Sequence, residues 1–280
     1  MKKKKIVEIV NEHLKEIRHF GSRDYHVLND EKTANFIITV KQLKSFFHLL
    51  DIQSAEEPVL RISRRMKLLY DYAEALHGLQ FHIQEIISYC ETWNEEIPVL
   101  YISRIEEEVA SWRKKAENFI RANNDSKEDD ETIMEMLPRE LSTSSIRKYL
   151  DYVFYQLSTL FDYSYKDESL HGIKKLLEEL FYNWDFTSAF LEQKDDFFNK
   201  RNIKMVIELL DNYYKKCEDV ALLNMYDSAV TATVEKDTLD RISYSLKQEM
   251  ESLKSNILQC LQVMEIRAAS RRHFNTTPVK

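Results

Sequence analysis

Glycine is nearly missing from this sequence. Its 280 residues include 3 Gly and 4 Pro, where ordinary usage would supply about 20 glycines. Glycine gives a backbone access to positive φ and lets a main chain approach a ligand closely. Its scarcity excludes a phosphate-cradling loop, because neither G-x-G-x-x-G nor G-x-x-x-x-G-K-[ST] can be written with Gly21, Gly78 and Gly172 so far apart. It also points to long helices joined by few tight turns. Cysteine is sparse too. Cys90, Cys217 and Cys260 are odd in number and widely separated, and each falls on an apolar helical stripe. Reduced core residues are expected, in place of a disulfide framework. No Cys or His spacing suits zinc, and no serine sits in a G-x-S-x-G context. No apolar run approaches the roughly 18 residues of a membrane span. The opening MKKKKIVEIVNEHL is basic but lacks the apolar centre of a secretory signal. The expected location is the cytoplasm, and no cofactor, metal or membrane contact is expected.

Charge is abundant and nearly balanced. Lys and Arg number 40 against 47 Asp and Glu, for a net charge of −7. Apolar residues make up 44 %, too many for a disordered chain. The negative balance argues against nucleic-acid binding by the molecule as a whole.

What the sequence does contain is helical periodicity. Two stretches say nearly the same thing: EEPVLRISRR from Glu56 and EEIPVLYISRI from Glu95, with Pro58 and Pro98 40 residues apart. Both read as helix starts, with proline in the first turn where its missing N–H costs little. Ser54 with Glu57 forms a capping box for the first, and Asn94 caps the second. Apolar residues then recur every three or four positions. One stripe runs from Ile62 and Met66 to Ile87 and Cys90, another from Ile102 and Ile105 to Ala116 and Phe119. Pro138 lies a further 40 residues on, but RELSTSSIRKYL repeats too little to make a solenoid.

Further helices are expected over 4–19, 31–50, from Ser142 or Ser144 through Leu160, from 168 through Trp184, over 201–231 and over 236–272. The last would reach about 55 Å. Phe36-Ile-Ile-Thr-Val is β-branched but sits inside a longer helical pattern, so helix is expected there as well. The acidic stretch NNDSKEDDETIMEML reads as a linker. The expected fold is therefore all-α: long antiparallel helices in two bundles, 1–122 and 140–280, joined by an acidic linker over 123–139, with a long terminal helix and a basic tail.

Candidate sites are few. Glu16-Ile-Arg-His19 and Glu74-Ala-Leu-His77 match the Glu-x-x-His spacing that places a carboxylate and an imidazole on one helical face, and in this resemble ferritin-like di-iron bundles. The first has no earlier helix to supply a further glutamate. Asp195-Asp-Phe-Phe-Asn199 resembles the aspartate-rich motif of terpene synthases, without the second metal motif that family needs. Arg267-Ala-Ala-Ser-Arg-Arg-His273 resembles the Arg-x(4–6)-His motif of HEPN-type ribonucleases. That resemblance implies Arg267 holding an RNA phosphate while His273 moves a proton, although Ala268 replaces the polar residue usual after the family's arginine. The same arginines also suit a helix C-terminus, or a docking tail for an acidic partner.

YLDYVFYQLSTLFDYSY carries more aromatics than one helix face can bury. Tyrosine is favoured where one end is dry and the other wet, as at interfaces. Tyr149, Tyr152, Tyr155, Tyr163 and Tyr165, with Arg271 and Arg272, are the candidate partner contacts. The leading expectation is a non-enzymatic interaction or scaffold protein that binds a protein partner or itself. An RNA-directed protein using Arg267 and His273 is the alternative.

Overall fold

A computed structural model describes residues 1–20, 30–52, 60–122, 127–161, 165–191, 198–226 and 233–272, with backbone alone at 30, 127–129, 233–234 and 266–272. The fold is all-α. In chain order the helices are α1 Lys3–Phe20, α2 Asp30–Asp51, α3 Arg64–Trp93, α4 Val99–Ala122, α5 Lys127–Met136, α6 Thr143–Phe161, α7 Asp167–Tyr182, α8 Trp184–Leu191, α9 Lys200–Tyr226 and α10 Thr233–Arg272. Among the described residues extended pairing is limited to one isolated bridge, Lys2 with Glu140. Phe36–Val40 is helical, as expected.

Each helix forms around the stripe that its sequence carries. In α1 the buried positions are Ile6, Val10, Leu14 and Ile17, at steps of three and four. They seat α1 on α2, where Phe20 stacks on Phe36 with ring centroids 4.0 Å apart. Ser142 caps α6 through its Oγ, which accepts the Ser145 N–H at 3.1 Å. Asn199 caps α9 in the same way, accepting the Asn202 N–H at 2.9 Å. α10 is 40 residues long and so about 60 Å. It lies along α9 and also touches α6 and α4.

The paired proline stretches do not act as two similar helix starts. Leu60 to Ser63 are not helical, and α3 begins at Arg64, where Ser63 Oγ accepts the Met66 N–H at 3.1 Å. Ser54, Glu57 and Pro58 lie outside the described residues. Asn94, expected to open α4, instead closes α3. It adopts the left-handed conformation at φ 54°, and its N–H reaches back to the last turn. Asparagine tolerates that conformation better than most residues. The helix expected to run through Trp184 breaks at Asn183, between the end of α7 and the start of α8.

The acidic stretch holds α5. Asp130 is buried and pairs with Arg18 at 3.0 Å, so α5 is pinned to α1, and Ile133 is buried beneath it. The two halves of the chain share one apolar core. α2 packs on α6 and α7, and polar bonds cross the same boundary. His48 Nδ1 lies 2.6 Å from Glu179 Oε2. The amide of Asn183, itself buried, donates to the Ser45 carbonyl at 2.9 Å. Cys90, Cys217 and Cys260 are all free thiols, the first buried and the others half-buried. No helix among the described residues is long and apolar enough to cross a membrane.

Candidate functional site

A cleft of about 850 Å³ opens between the halves, walled by α2, α3, α4, α7 and α9. Ligand sites favour such boundaries, because two packed units meet there without filling every gap. Six carboxylates line the cleft, Glu74, Glu108, Glu178, Asp211, Glu218 and Asp219, against the lysines Lys41, Lys174 and Lys215. Aromatic side chains from Trp112, Tyr182, Tyr214 and Tyr226 complete much of the wall. Two apolar residues of the lining remain open to solvent, Ile38 at 43 % and Met225 at 68 %.

The lysines are already engaged. Lys174 lies 2.7 Å from Asp211 and 3.8 Å from Glu178, and Lys41 lies 3.3 Å from Glu178. Burial alone would lower the Lys174 ammonium, but the carboxylates around it hold it above its ordinary value. Lys215 sits over the Phe81 ring, 4.3 Å from its centroid. The remaining acids keep the cleft negative. Its walls take solvent away from Glu218 and raise that carboxyl above the ordinary range, with Lys174 pulling it back.

Beneath the cleft runs a buried polar chain. Asp219 Oδ1 lies 2.7 Å from His82 Nδ1, and His82 Nε2 lies 2.7 Å from the Tyr101 hydroxyl. His82 is 0 % exposed, Tyr101 1 % and Asp219 3 %. A carboxylate can only accept, so Nδ1–H donates to Asp219, and the Tyr101 hydroxyl shares the second bond with Nε2. Burial, followed by the Asp219 charge, pushes the Tyr101 phenol well above its ordinary value, so it stays a donor near neutral pH. The second oxygen of Asp219 has no hydrogen-bond partner, although it is screened from water. This arrangement orients a carboxylate. The far end of the chain, the Tyr101 hydroxyl, is enclosed and offers nothing for a substrate to touch.

The residues singled out from sequence fall elsewhere or only beside this site. Tyr149 is buried in the core, and its hydroxyl receives the Asn183 amide at 3.2 Å. Tyr165 is half-buried, and its hydroxyl donates to Glu265. Tyr152 and Tyr155 reach the surface, at 37 % and 66 % exposure. Tyr163 lies outside the described residues, as do His273 and the side chains of Arg267, Arg271 and Arg272. Glu74 and His77 stand on the cleft wall, whereas Glu16 accepts a bond from Thr39 at 3.0 Å in the α1–α2 contact. Asp195 and Asp196 lie outside the described residues, while Phe198 is buried. Among the described residues no group of three or more His, Cys, Asp or Glu side chains converges as a metal ion requires.

His82, Tyr101 and Asp219 went unremarked in the sequence, yet a signal was present. His82 occupies the apolar stripe of α3 between Leu79 and Ile86, and Asp219 precedes Leu223 by one turn on the buried face of α9. Ionisable residues at core positions of two separate helices are candidates to pair with each other. No protein-family model matches this chain, and no curated protein or solved structure does either.

Proposed function

We propose that this chain is a non-enzymatic, cytoplasmic interaction protein that captures a partner protein by a basic segment seated in the cleft between its halves. The observation that carries this reading is the lining of the cleft. Its carboxylates outnumber its lysines two to one, and two of those lysines are tied up in ion pairs. Such a surface attracts cations and repels acidic ligands such as nucleic-acid backbones. The exposed Ile38 and Met225 provide apolar ground for the aliphatic residues that accompany basic ones in an amphipathic segment. Methionine adapts its shape readily at such surfaces. The net charge of −7 works in the same direction at longer range.

Fluorescence anisotropy tests the reading directly. A labelled short peptide of lysine, arginine and leucine is titrated with the protein beside a counterpart in which glutamate replaces every basic residue. The basic peptide is expected to bind, to weaken steeply as salt rises to about 1 M, where screening shortens to roughly 3 Å, and to lose affinity when Glu108 and Glu218 are changed together to Gln. Equal binding of both peptides, or of neither, overturns the reading.

A further inference from the structure

We infer, resting on the docking reading above, that the basic segment seated in the cleft is 267–280 of a second copy of this chain, so that copies associate head to tail. Its sequence, RAASRRHFNTTPVK, carries three arginines, a lysine and a histidine, and no Asp or Glu. That charge complements a cleft whose carboxylates outnumber its lysines two to one. Phe274 and Val279 add apolar side chains suited to the exposed Ile38 and Met225 of the lining. The other basic cluster, 2–5, is tied down within its own molecule. The Leu141 N–H donates to the Met1 carbonyl at 2.8 Å, Lys2 pairs with Glu140 at 2.7 Å and Lys5 with Glu8 at 3.4 Å.

A molecule's own tail cannot serve its own cleft. In α9 the lining residues Asp211, Lys215, Glu218 and Leu222 recur every three or four positions and share one face. Lys216 stands off that face and meets α10, pairing with Glu249 at 3.0 Å. Asp167 marks a second level, accepting from Tyr213 of α9 at 3.0 Å and from Lys254 of α10 at 2.8 Å. The two helices are therefore antiparallel, with α10 on the side of α9 turned away from the cleft. From the level of Tyr213 the cleft lining of α9 runs on to Tyr226, and reaches back less than one turn, to Asp211. α10 runs the other way, from Lys254 through Arg267 to Arg272, which lie about 20 and 27 Å further along the axis. That helix carries its arginines away from the cleft of its own molecule.

A second copy removes that obstacle, since its α10 can approach the cleft end-on. The three arginine charges exceed the roughly half unit of negative charge at a helix C-terminus, so the end of α10 is basic as a whole. The tail and the cleft are different surfaces, and each copy offers one of each. Such a contact is heterologous, joining the tail of one copy to the cleft of the next.

Light scattering on the full chain over a concentration series tests this contact. At low salt the mass is expected to rise above one protomer with concentration, and to fall back to one protomer near about 1 M salt, where screening shortens to roughly 3 Å. A tail variant combines Arg267→Gln, Arg271→Gln and Arg272→Gln, and a cleft variant combines Glu108→Gln and Glu218→Gln. Each alone is expected to need a roughly ten-fold or more higher concentration to associate. Mixed in equal amounts they should associate at the wild-type concentration but stop at two protomers, because one supplies the intact tail and the other the intact cleft. A monomeric wild type, association that survives either set of changes, or a mixture that fails to recover each overturns the head-to-tail contact. A synthetic peptide of 267–280 supplies an arm that needs no variant. It is expected to bind the wild type saturably and to compete with the designed peptide of lysine, arginine and leucine. Binding of the designed peptide without the tail peptide retains the docking reading and removes the second copy as the partner, whereas binding of neither removes both.

Discussion

Glu235, in the first turn of α10, accepts the backbone N–H groups of Leu100 and Tyr101 at 3.1 and 3.3 Å. The opening turn of α4 thus takes its cap from a residue more than 130 positions away. α4 carries no acidic residue in its own first turn, and Pro98 before it has no side-chain acceptor. The carboxylate satisfies two orphan donors and lies at the positive end of the helix dipole.

Removing this contact has a predictable cost. Glu235→Ala is expected to lower unfolding free energy by about 1 kcal/mol, and Glu235→Gln by less, because the amide oxygen still accepts. Urea denaturation midpoints of the two variants check the order. An alanine variant as stable as the wild type contradicts the cap.

The buried chain under the cleft orders three further variants. His82→Leu leaves Asp219 buried with no donor and is expected to cost roughly 3–5 kcal/mol. Tyr101→Phe leaves a buried ring nitrogen unpaired and should cost about 1–3 kcal/mol. In the double variant His82→Leu with Asp219→Leu, much of the first loss should return, since no buried charge remains. Chemical denaturation of the set gives the coupling between the two sites.

Two helical glycines predict different responses to alanine. At Gly78 the added methyl group enters open space, so Gly78→Ala should stabilise the fold by about 0.5–1 kcal/mol. At Gly172 the same methyl would come within 2.8 Å of Leu160 Cδ1. Leu160 must then shift, which offsets the helical gain, so Gly172→Ala should be close to neutral and Gly172→Val destabilising. Thermal unfolding of the alanine variants should rank Gly78→Ala above Gly172→Ala.

Asp167 supplies a pH dependence. Lys254 donates to its Oδ1 at 2.8 Å and Tyr213 at 3.0 Å. The Lys254 bond first, against a smaller opposing effect of burial, holds this carboxyl below the ordinary aspartate range. A carboxyl depressed in the folded state stabilises the fold above its unfolded value, about 3.9, and loses that contribution as pH falls through the depressed folded value. Asp167→Asn should therefore be less stable than the wild type near neutral pH and show a shallower loss of stability in acid. Denaturation midpoints across an acid pH series test this, and parallel curves for the two proteins count against it.

The sequence by itself determined the helical class, the approximate extent of most helices and the inward face of several. These follow from interactions within a few residues: apolar side chains three and four apart share a face, and serine or asparagine ahead of a stripe caps the free N–H groups. Ser142 was legible in this way, as was the run from Leu239 and Ile242 to Met264 along α10, whereas Asn199 was read only as the end of an aspartate-rich motif. Local rules misled where two devices lay side by side, as at Asn94, which resembles an opening cap but closes the preceding helix. Only the tertiary structure decided which stripes meet. His82 and Asp219 are 137 positions apart, and Glu235 and Leu100 are nearly as far. Their pairing depends on how α3, α4, α9 and α10 cross, a choice made by many side chains packing at once and recorded in no single segment. The same crossing leaves the cleft unfilled and its acids facing one another, so the site exists in the arrangement of the helices and in none of them alone.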